Sequence, residues 1–172
     1  MTEEEFYKKK IFDKVGINLL KKQFPYLEYD INRWYKSNRY NKIQEYKSFL
    51  THKINQLKKN GEDINLNNEQ FYSLFKWWET TPKVCYYCSL PENILIELNN
   101  QPEHINKRYP NRGKSLEIDR KQPNLLYSDI ENLVLACYWC NNAKTDTFTE
   151  KEFLKIGKVI KSIWEKRLGR VF

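Results

Sequence analysis

The four cysteines of this 172-residue chain occur as two pairs, each with two residues between its members. The pairs are Cys85-Tyr-Tyr-Cys88 and Cys137-Tyr-Trp-Cys140. Two such knuckles commonly supply four thiolate ligands to one tetrahedral zinc ion. Disulfides are the alternative, but a reducing compartment disfavours them, and cysteines two residues apart bond to each other only under strain. The spacing therefore predicts one structural Zn²⁺, because four thiolates leave no open position for a catalytic water.

The composition is basic, with 30 Lys and Arg against 22 Asp and Glu and a formal net charge of +8. The segment from Lys21 to Asn60 holds ten basic and three acidic residues, interleaved with tyrosine and tryptophan. This mixture suits contacts to phosphate and stacking on bases, so it predicts a nucleic-acid partner; a merely solvated basic surface is the alternative. Its candidate phosphate-binding residues are Arg33, Lys36, Arg39 and Lys42.

The length of the chain fits a catalytic core with an N-terminal extension. We expect a basic, helical DNA-binding region over residues 1–80 and a zinc-stapled core over residues 81–172. The first residues, MTEEEFYKKK, lack the apolar run of a secretory signal, and no stretch of the chain reaches the roughly 20 apolar residues of a membrane helix. We therefore expect a cytoplasmic protein that does not enter a membrane.

Hydrophobic spacing predicts helices in both halves of the chain. One helix follows Ile43, Tyr46 and Leu50 and ends near Asn60, and another runs from about Asn67 to the Thr80-Thr81-Pro82 stop. A weaker pattern near the N-terminus indicates a helix that Pro25 ends, with apolar residues Ile11, Val15 and Leu19.

The C-terminal helix is predicted to begin with a capping box, Thr149 followed by Glu152. Its apolar side is expected to hold Phe153, Ile156, Ile160 and Trp164.

Two short strands are predicted between these helices. A turn over residues 109–113 is expected to launch a strand from Ser115 to Arg120, and the apolar run Leu133 to Ala136 leads directly into Cys137. The order is therefore strand, loop, strand, knuckle and helix. This order predicts an α+β fold, with a mainly helical N-terminal region packed on the zinc-stapled core.

The segment from Leu116 to Lys144 resembles the HNH endonuclease motif in residue type and spacing. HNH nucleases have a ββα-metal fold, with an Asp-His pair on the first strand, an Asn before the second, and a His or Asn after the second knuckle. The matching residues here are Asp119-Arg120, Asn132 and Asn141. The resemblance covers about Cys85 to Trp164. It implies an HNH core that hydrolyses DNA with Mg²⁺ or Mn²⁺.

By this resemblance, Asp119 is the anionic ligand of the catalytic cation, which prefers oxygen ligands and keeps waters and phosphate oxygens in its other positions. Asn132 either supplies a carbonyl oxygen to that cation or holds its loop by hydrogen bonds. Asn141 and Lys144 could each contact phosphate or brace the ββα turn. We expect bracing from Asn141 and a phosphate contact from Lys144.

Arg120 departs from the usual motif, because HNH nucleases carry at this position the histidine that deprotonates the attacking water. Arginine cannot accept that proton near neutral pH. Either the chain only binds DNA, or another group activates the nucleophile while Arg120 clamps the scissile phosphate. An Asp-Arg pair is similar to that of the PacI-like restriction endonucleases, where a tyrosine is thought to act as nucleophile or base. By position this tyrosine is Tyr87, and His104 is the rival base.

The resemblance implies a type II restriction enzyme that cuts a short palindromic site in double-stranded DNA. Two-fold symmetric cleavage of that kind would call for a homodimer. Two alternatives stay open: a phage or mobile-element HNH nuclease that nicks or homes, and a catalytically inactive zinc-stabilised DNA-binding module. An RNA substrate also stays open.

Overall fold

A computed structural model describes residues 1–9, 16–59, 66–101 and 112–172. Within these ranges the chain forms eight α-helices and one two-stranded sheet, so the α+β class is confirmed. The chain divides into two compact units, Met1–Glu79 and Thr80–Phe172. No helix in the described ranges combines the length and apolar character needed to cross a membrane.

The N-terminal unit is helical, as the hydrophobic spacing predicts. Its helices are α1 (Glu3–Lys8), α2 (Ile17–Gln23), α3 (Glu28–Tyr35), α4 (Asn38–Lys59) and α5 (Asn68–Thr80). Aromatic rings form much of its core, since Phe6 lies 5.6 Å from Trp34 and Tyr46 lies 5.4 Å from Phe75 between ring centroids. Ser37 caps α4 by accepting a hydrogen bond from the Tyr40 amide at 3.1 Å.

The weak helix predicted near the N-terminus is described only in part. Residues 10–15, which include Ile11 and Val15, lie outside the described residues, whereas Leu19 lies in α2. Pro25 follows α2 and begins a short 3₁₀ turn, Pro25–Leu27. A proline at this place ends the preceding helix because it cannot donate to the helical ladder.

The second unit carries the two strands, β1 (Glu117–Arg120) and β2 (Leu133–Ala136). They pair antiparallel, with Asp119 opposite Val134 and Arg120 opposite Leu133. Every residue of β2 is buried, so both of its faces are covered. Three helices complete this unit: α6 (Glu92–Asn99), α7 (Tyr138–Lys144) and α8 (Glu150–Leu168).

Helix α8 begins at the predicted capping box, in which Glu152 accepts a hydrogen bond from the Thr149 amide at 2.9 Å. Its buried residues are Phe153, Gly157 and Trp164. Of the four residues expected on one side of this helix, Phe153 and Trp164 are buried, whereas Ile156 is exposed. Gly157 takes the buried position instead, where the absence of a side chain lets the helix approach its neighbour closely.

Candidate metal centre and active site

The four cysteines lie together in the second unit, all buried and with their sulfurs within 4.8 Å of one another. Cys88 Sγ and Cys137 Sγ are 3.7 Å apart, and all four thiols are free rather than in disulfides. Sulfurs placed about 2.3 Å from one tetrahedral zinc ion lie about 3.8 Å apart. The cluster therefore fits a zinc ion. Among the described residues it is the only group of three or more His, Cys, Asp or Glu that could hold a metal.

The protonation of the thiols also fits a cation. Hydrogen bonds from the thiols of Cys137, Cys140 and Cys88 lower the pKa of Cys85. The pKa of Cys140 is raised, chiefly because its hydrogen bond with Cys137 favours the protonated thiol, and burial and the charge of Cys137 add to the rise. Four thiolates in so small a volume need a positive charge between them, and a divalent ion supplies it.

The first knuckle is fixed to the sheet by backbone hydrogen bonds. The Tyr86 amide donates to the Leu135 carbonyl at 2.8 Å, and the Cys85 amide donates to Leu90 at 2.9 Å. Ser89 closes the knuckle with a left-handed φ of 59°. The Tyr86 bond therefore joins the turn that carries Tyr87 to β2, and the Cys85 bond closes the turn itself.

The second knuckle runs directly into α7, and α7 lies against one face of β1. Side chains two apart on a strand share a face, so Glu117 and Asp119 point the same way. Asn141 Nδ2 donates to Glu117 Oε2 at 2.6 Å, and Lys144 Nζ lies 3.5 Å from Asp119 Oδ2. Successive turns of α7 therefore meet successive residues on this face, which is the geometry of a ββα unit.

Asp119 lies at the centre of a buried polar cluster. Tyr87 Oη donates to Asp119 Oδ2 at 2.8 Å, and Lys144 Nζ donates to the Arg120 carbonyl at 2.7 Å. The Lys144 side chain is only 1% exposed. Burial raises the pKa of Asp119, and the ammonium of Lys144 opposes that rise. Lys144 is therefore an internal counter-ion to Asp119 in this structure, and its predicted phosphate contact stays a prediction.

Tyr87, the candidate base, lies against Asp119. Burial, followed by the negative charge of Asp119, raises the pKa of the Tyr87 phenol well above its ordinary value. The neutral phenol is therefore favoured, and it donates a hydrogen bond to the carboxylate. Its neighbour Tyr86 is exposed and donates instead to Glu150.

Helix α8 holds Tyr87 in place. The Phe153 ring meets the Tyr87 ring edge-on, with centroids 5.0 Å apart. A Cβ added at Gly157 would lie 2.4 Å from the Tyr87 carbonyl oxygen and 2.7 Å from its carbonyl carbon. The backbones of α8 and the first knuckle are thus in direct contact, and only glycine fits at position 157.

We expect Gly157→Ala to destabilise the second unit. Alanine favours helix by about 1 kcal/mol over glycine, but overpacking against a backbone costs about 1–3 kcal/mol. We expect the cost of the clash to exceed the gain in helix propensity. The atoms that the new Cβ meets belong to the backbone of a zinc knuckle and cannot move as a flexible side chain would. Thermal unfolding should show a melting temperature several degrees lower.

Gly16→Ala is the control for Gly157→Ala, because an added Cβ at Gly16 meets nothing within 4 Å. It should leave the melting temperature nearly unchanged. A Gly157→Ala protein that melts at or above the wild-type temperature would show that the close approach of α8 to Tyr87 is misplaced.

Arg120 contacts protein groups on three sides. Its guanidinium donates to Asp146 Oδ1 at 3.1 Å and to the Leu125 carbonyl at 3.3 Å, and it lies 4.5 Å from the centroid of the Tyr127 ring. Asp146 is strongly exposed. Arg120 is consequently held in a fixed position beside a carboxylate that borders solvent. Its predicted role as a phosphate clamp stays a prediction.

Asn132 holds the connection between the strands. Its Oδ1 accepts from the Gln122 amide at 2.8 Å, and its Nδ2 donates to the Gln122 carbonyl at 3.1 Å. The Lys121 amide also donates to the Asn132 carbonyl at 2.7 Å. Two roles are expected for Asn132, and its contacts with the Gln122 backbone suit the role of holding the loop by hydrogen bonds. Coordination of a cation by its amide oxygen stays a prediction.

The remaining predicted residues lie elsewhere. His104 lies outside the described residues. In the N-terminal unit, Lys36 and Lys42 are exposed, and Arg33 is exposed beside Asp30 with 3.1 Å between Nη2 and Oδ1. Arg39 binds both carboxylate oxygens of Glu79, at 2.9 and 3.1 Å, so it is committed to that partner in the structure.

Glu117 joins β1 to α7 and to Arg112, a role that the sequence motif does not indicate. Its carboxylate binds Arg112 through two hydrogen bonds, of 2.9 and 2.6 Å, and accepts a third from Asn141. The Arg112 guanidinium also lies 4.8 Å from the centroid of the Tyr138 ring. In the sequence, only its position two residues before Asp119 indicates that Glu117 lies on the same face of β1 as Asp119. Glu117 therefore orients α7 and, through it, Lys144.

The fold is similar to one solved structure, described as that of the rare-cutting HNH restriction endonuclease PacI, with "an extraordinary mechanism of DNA perturbation". The match has a TM-score of 0.52 and 23% sequence identity, and covers 70% of this chain and 79% of that one. It supports an HNH-like fold for this chain. No family model matches the sequence. No curated protein matches it either.

Proposed function

We propose that this chain is a metal-dependent endonuclease that hydrolyses phosphodiester bonds in double-stranded DNA, as a type II restriction enzyme does. The observation that carries the proposal is the buried carboxylate of Asp119 on β1, between Tyr87 of a cysteine knuckle and Lys144 of α7. Burying a carboxylate costs stability even when it is paired, so its presence at this place in an HNH-like fold favours a catalytic role. The basic N-terminal unit supports DNA as the polyanion.

The donor set fits a hard cation such as Mg²⁺ or Mn²⁺. Such a cation is commonly held by one or two carboxylates, with waters and substrate phosphate oxygens in its other positions. Asp119 would hold it here, with Asn132 as a second candidate ligand. When bound, the cation would lower the pKa of a coordinated water and offset charge on the phosphate.

The protein residues divide the remaining tasks. In the absence of a cation, Tyr87 orients the Asp119 carboxylate by its hydrogen bond, and Lys144 offsets the charge of that carboxylate. Arg120, held by Tyr127 and Asp146, would stabilise charge on the scissile phosphate. The four cysteines would hold the structural Zn²⁺ that keeps Tyr87 beside β1.

The group that activates the attacking water is proposed to be Tyr87 in its deprotonated form, with His104 as the rival; the phenol proton would first leave to solvent when a nearby cation lowers the pKa of Tyr87. The raised pKa of the Tyr87 phenol disfavours proton abstraction in the absence of a nearby cation. We expect Tyr87→Phe to lower the cleavage rate by about 10² to 10⁴, the usual contribution of a general base. His104→Ala is the matched comparison. Full activity of Tyr87→Phe together with inactivity of His104→Ala would move the role to His104.

The direct test is incubation of zinc-loaded protein with supercoiled plasmid and Mg²⁺ or Mn²⁺, followed by sequencing of the cut ends. Ends at one short palindrome would support a restriction enzyme acting as a dimer. Single-strand nicks would favour the mobile-element type of HNH nuclease. Tight binding with no cleavage under either cation would overturn the nuclease proposal in favour of a zinc-stabilised binding module. Cleavage of RNA in place of DNA would overturn the substrate.

A further inference from the structure

Helix α8 carries an apolar stripe along one flank, beside its buried face. Ile156, Val159 and Ile163 are 37%, 59% and 46% exposed, although each has a large hydrophobic side chain. Their spacing of three and four residues places them on one line along the helix. The stripe lies about a quarter turn from the buried face of Phe153 and Gly157, so the packing that holds Tyr87 does not use it.

The stripe has opposite charges at its two ends. Glu152 lies four residues before Ile156, and Lys166 lies three residues after Ile163, so both lie on the same line along the helix. Both residues are exposed. Glu152 lies seven positions before Val159 and Lys166 lies seven positions after it. The pattern is therefore self-complementary about Val159 when a second copy runs in the opposite direction.

We propose that this stripe is the contact surface for a second copy of the chain, with the two α8 helices packed antiparallel about a two-fold axis at Val159. Ile156 of each copy then lies within one residue of the level of Ile163 of the other, close enough for their side chains to pack across the seam. Glu152 of each copy faces Lys166 of the other. A parallel pairing would instead place Glu152 against Glu152 and Lys166 against Lys166, which is unfavourable.

The positions that flank the stripe also permit the antiparallel pairing. Lys155 comes level with Ile163 of the other copy and within one residue of Ser162, so no lysines oppose each other next to the seam. One helix pair is nevertheless smaller than the roughly 1,200 Å² of a stable specific interface. We therefore expect a weak dimer, with a dissociation constant on the order of 10 μM or above. The inference uses only α8 and stands apart from the nuclease proposal.

The test is sedimentation of the full zinc-loaded chain over a range of concentrations. The wild type should approach the dimer mass at high concentration, and Val159→Glu, which places two carboxylates on the axis, should stay monomeric. Lys158→Glu is the control, since it adds the same side chain at an exposed position about 100° around the helix. A wild type that stays monomeric, or a dimer that Val159→Glu leaves intact, would overturn the proposal.

Cross-linking tests the orientation. Val159→Cys should form a covalent dimer with a short bismaleimide, because position 159 faces itself across the axis, whereas Lys158→Cys should react much less. A Val159→Glu protein with a lowered melting temperature and an unchanged monomeric mass would show that the same chain covers the stripe, against the proposal. Plasmid cleavage by these variants reports on the nuclease separately, so the two proposals can fail independently.

Discussion

Asp119→Asn is expected to lower the rate of DNA cleavage by about 10³ or more, equivalent to about 4 kcal/mol of transition-state stabilisation. The substitution keeps the shape of the side chain and removes the charge that would hold Mg²⁺ or Mn²⁺. It also leaves the buried Lys144 ammonium without its anion, which costs several kcal/mol of stability. The measurement is single-turnover plasmid cleavage at saturating Mn²⁺, with the melting temperature recorded alongside.

A companion variant separates catalysis from folding. Asp119→Asn combined with Lys144→Met removes both buried charges, so the double variant should recover stability without recovering cleavage. Asp129→Asn is the matched control, because Asp129 is an exposed carboxylate in the connection between the strands. It should cut at the wild-type rate. Near-normal cleavage by either Asp119 variant would refute the site proposed around this residue.

Removal of the zinc ion is expected to unfold the second unit. A structural zinc site contributes about 10–16 kcal/mol in small domains, which matches or exceeds the total stability of about 5–15 kcal/mol of a typical domain. Cys140→Ser should therefore lose the bound metal, measured by elemental analysis. It should also lose the hydrogen-exchange protection of β1 and β2. Cleavage should disappear with them.

Chelation of the wild type by EDTA should reproduce the Cys140→Ser result, and added Zn²⁺ should reverse it. Asp119→Asn combined with Lys144→Met is the contrasting protein, expected to keep one zinc ion per chain while inactive. If the second unit stays ordered after complete loss of zinc, the cysteine cluster is dispensable for the fold.

The regular elements follow from local patterns in the sequence. The capping box at Thr149 places the start of α8, and the apolar run from Leu133 to Ala136 matches β2 residue for residue. The first strand is shorter than the predicted range, beginning at Glu117 rather than Ser115. Helix α6 is not among the elements predicted from the sequence, although it carries the apolar and buried residues Ile94, Leu95 and Leu98.

The contacts within the site depend on packing that no local pattern contains. The paired cysteines indicated the cluster because zinc demands a fixed ligand set. By contrast, the burial of Lys144 depends on how α7 lies on β1, which Glu117 and Asn141 determine. The tight position of Gly157 depends on the approach of two backbones more than 60 residues apart. Such distant contacts are visible only when the elements are assembled.

The cysteine cluster joins Cys88 to Cys137 across 49 residues of chain. Closing a loop costs free energy that grows only slowly with its length, by about 0.6 kcal/mol for each doubling. Insertions and deletions between the knuckles should therefore be tolerated, provided that β1 still places Asp119 beside Tyr87. Over evolutionary time this part of the chain can drift in length and sequence while a handful of positions stay in register. A metal site of four cysteines is therefore compatible with a similar fold in two chains that are only 23% identical.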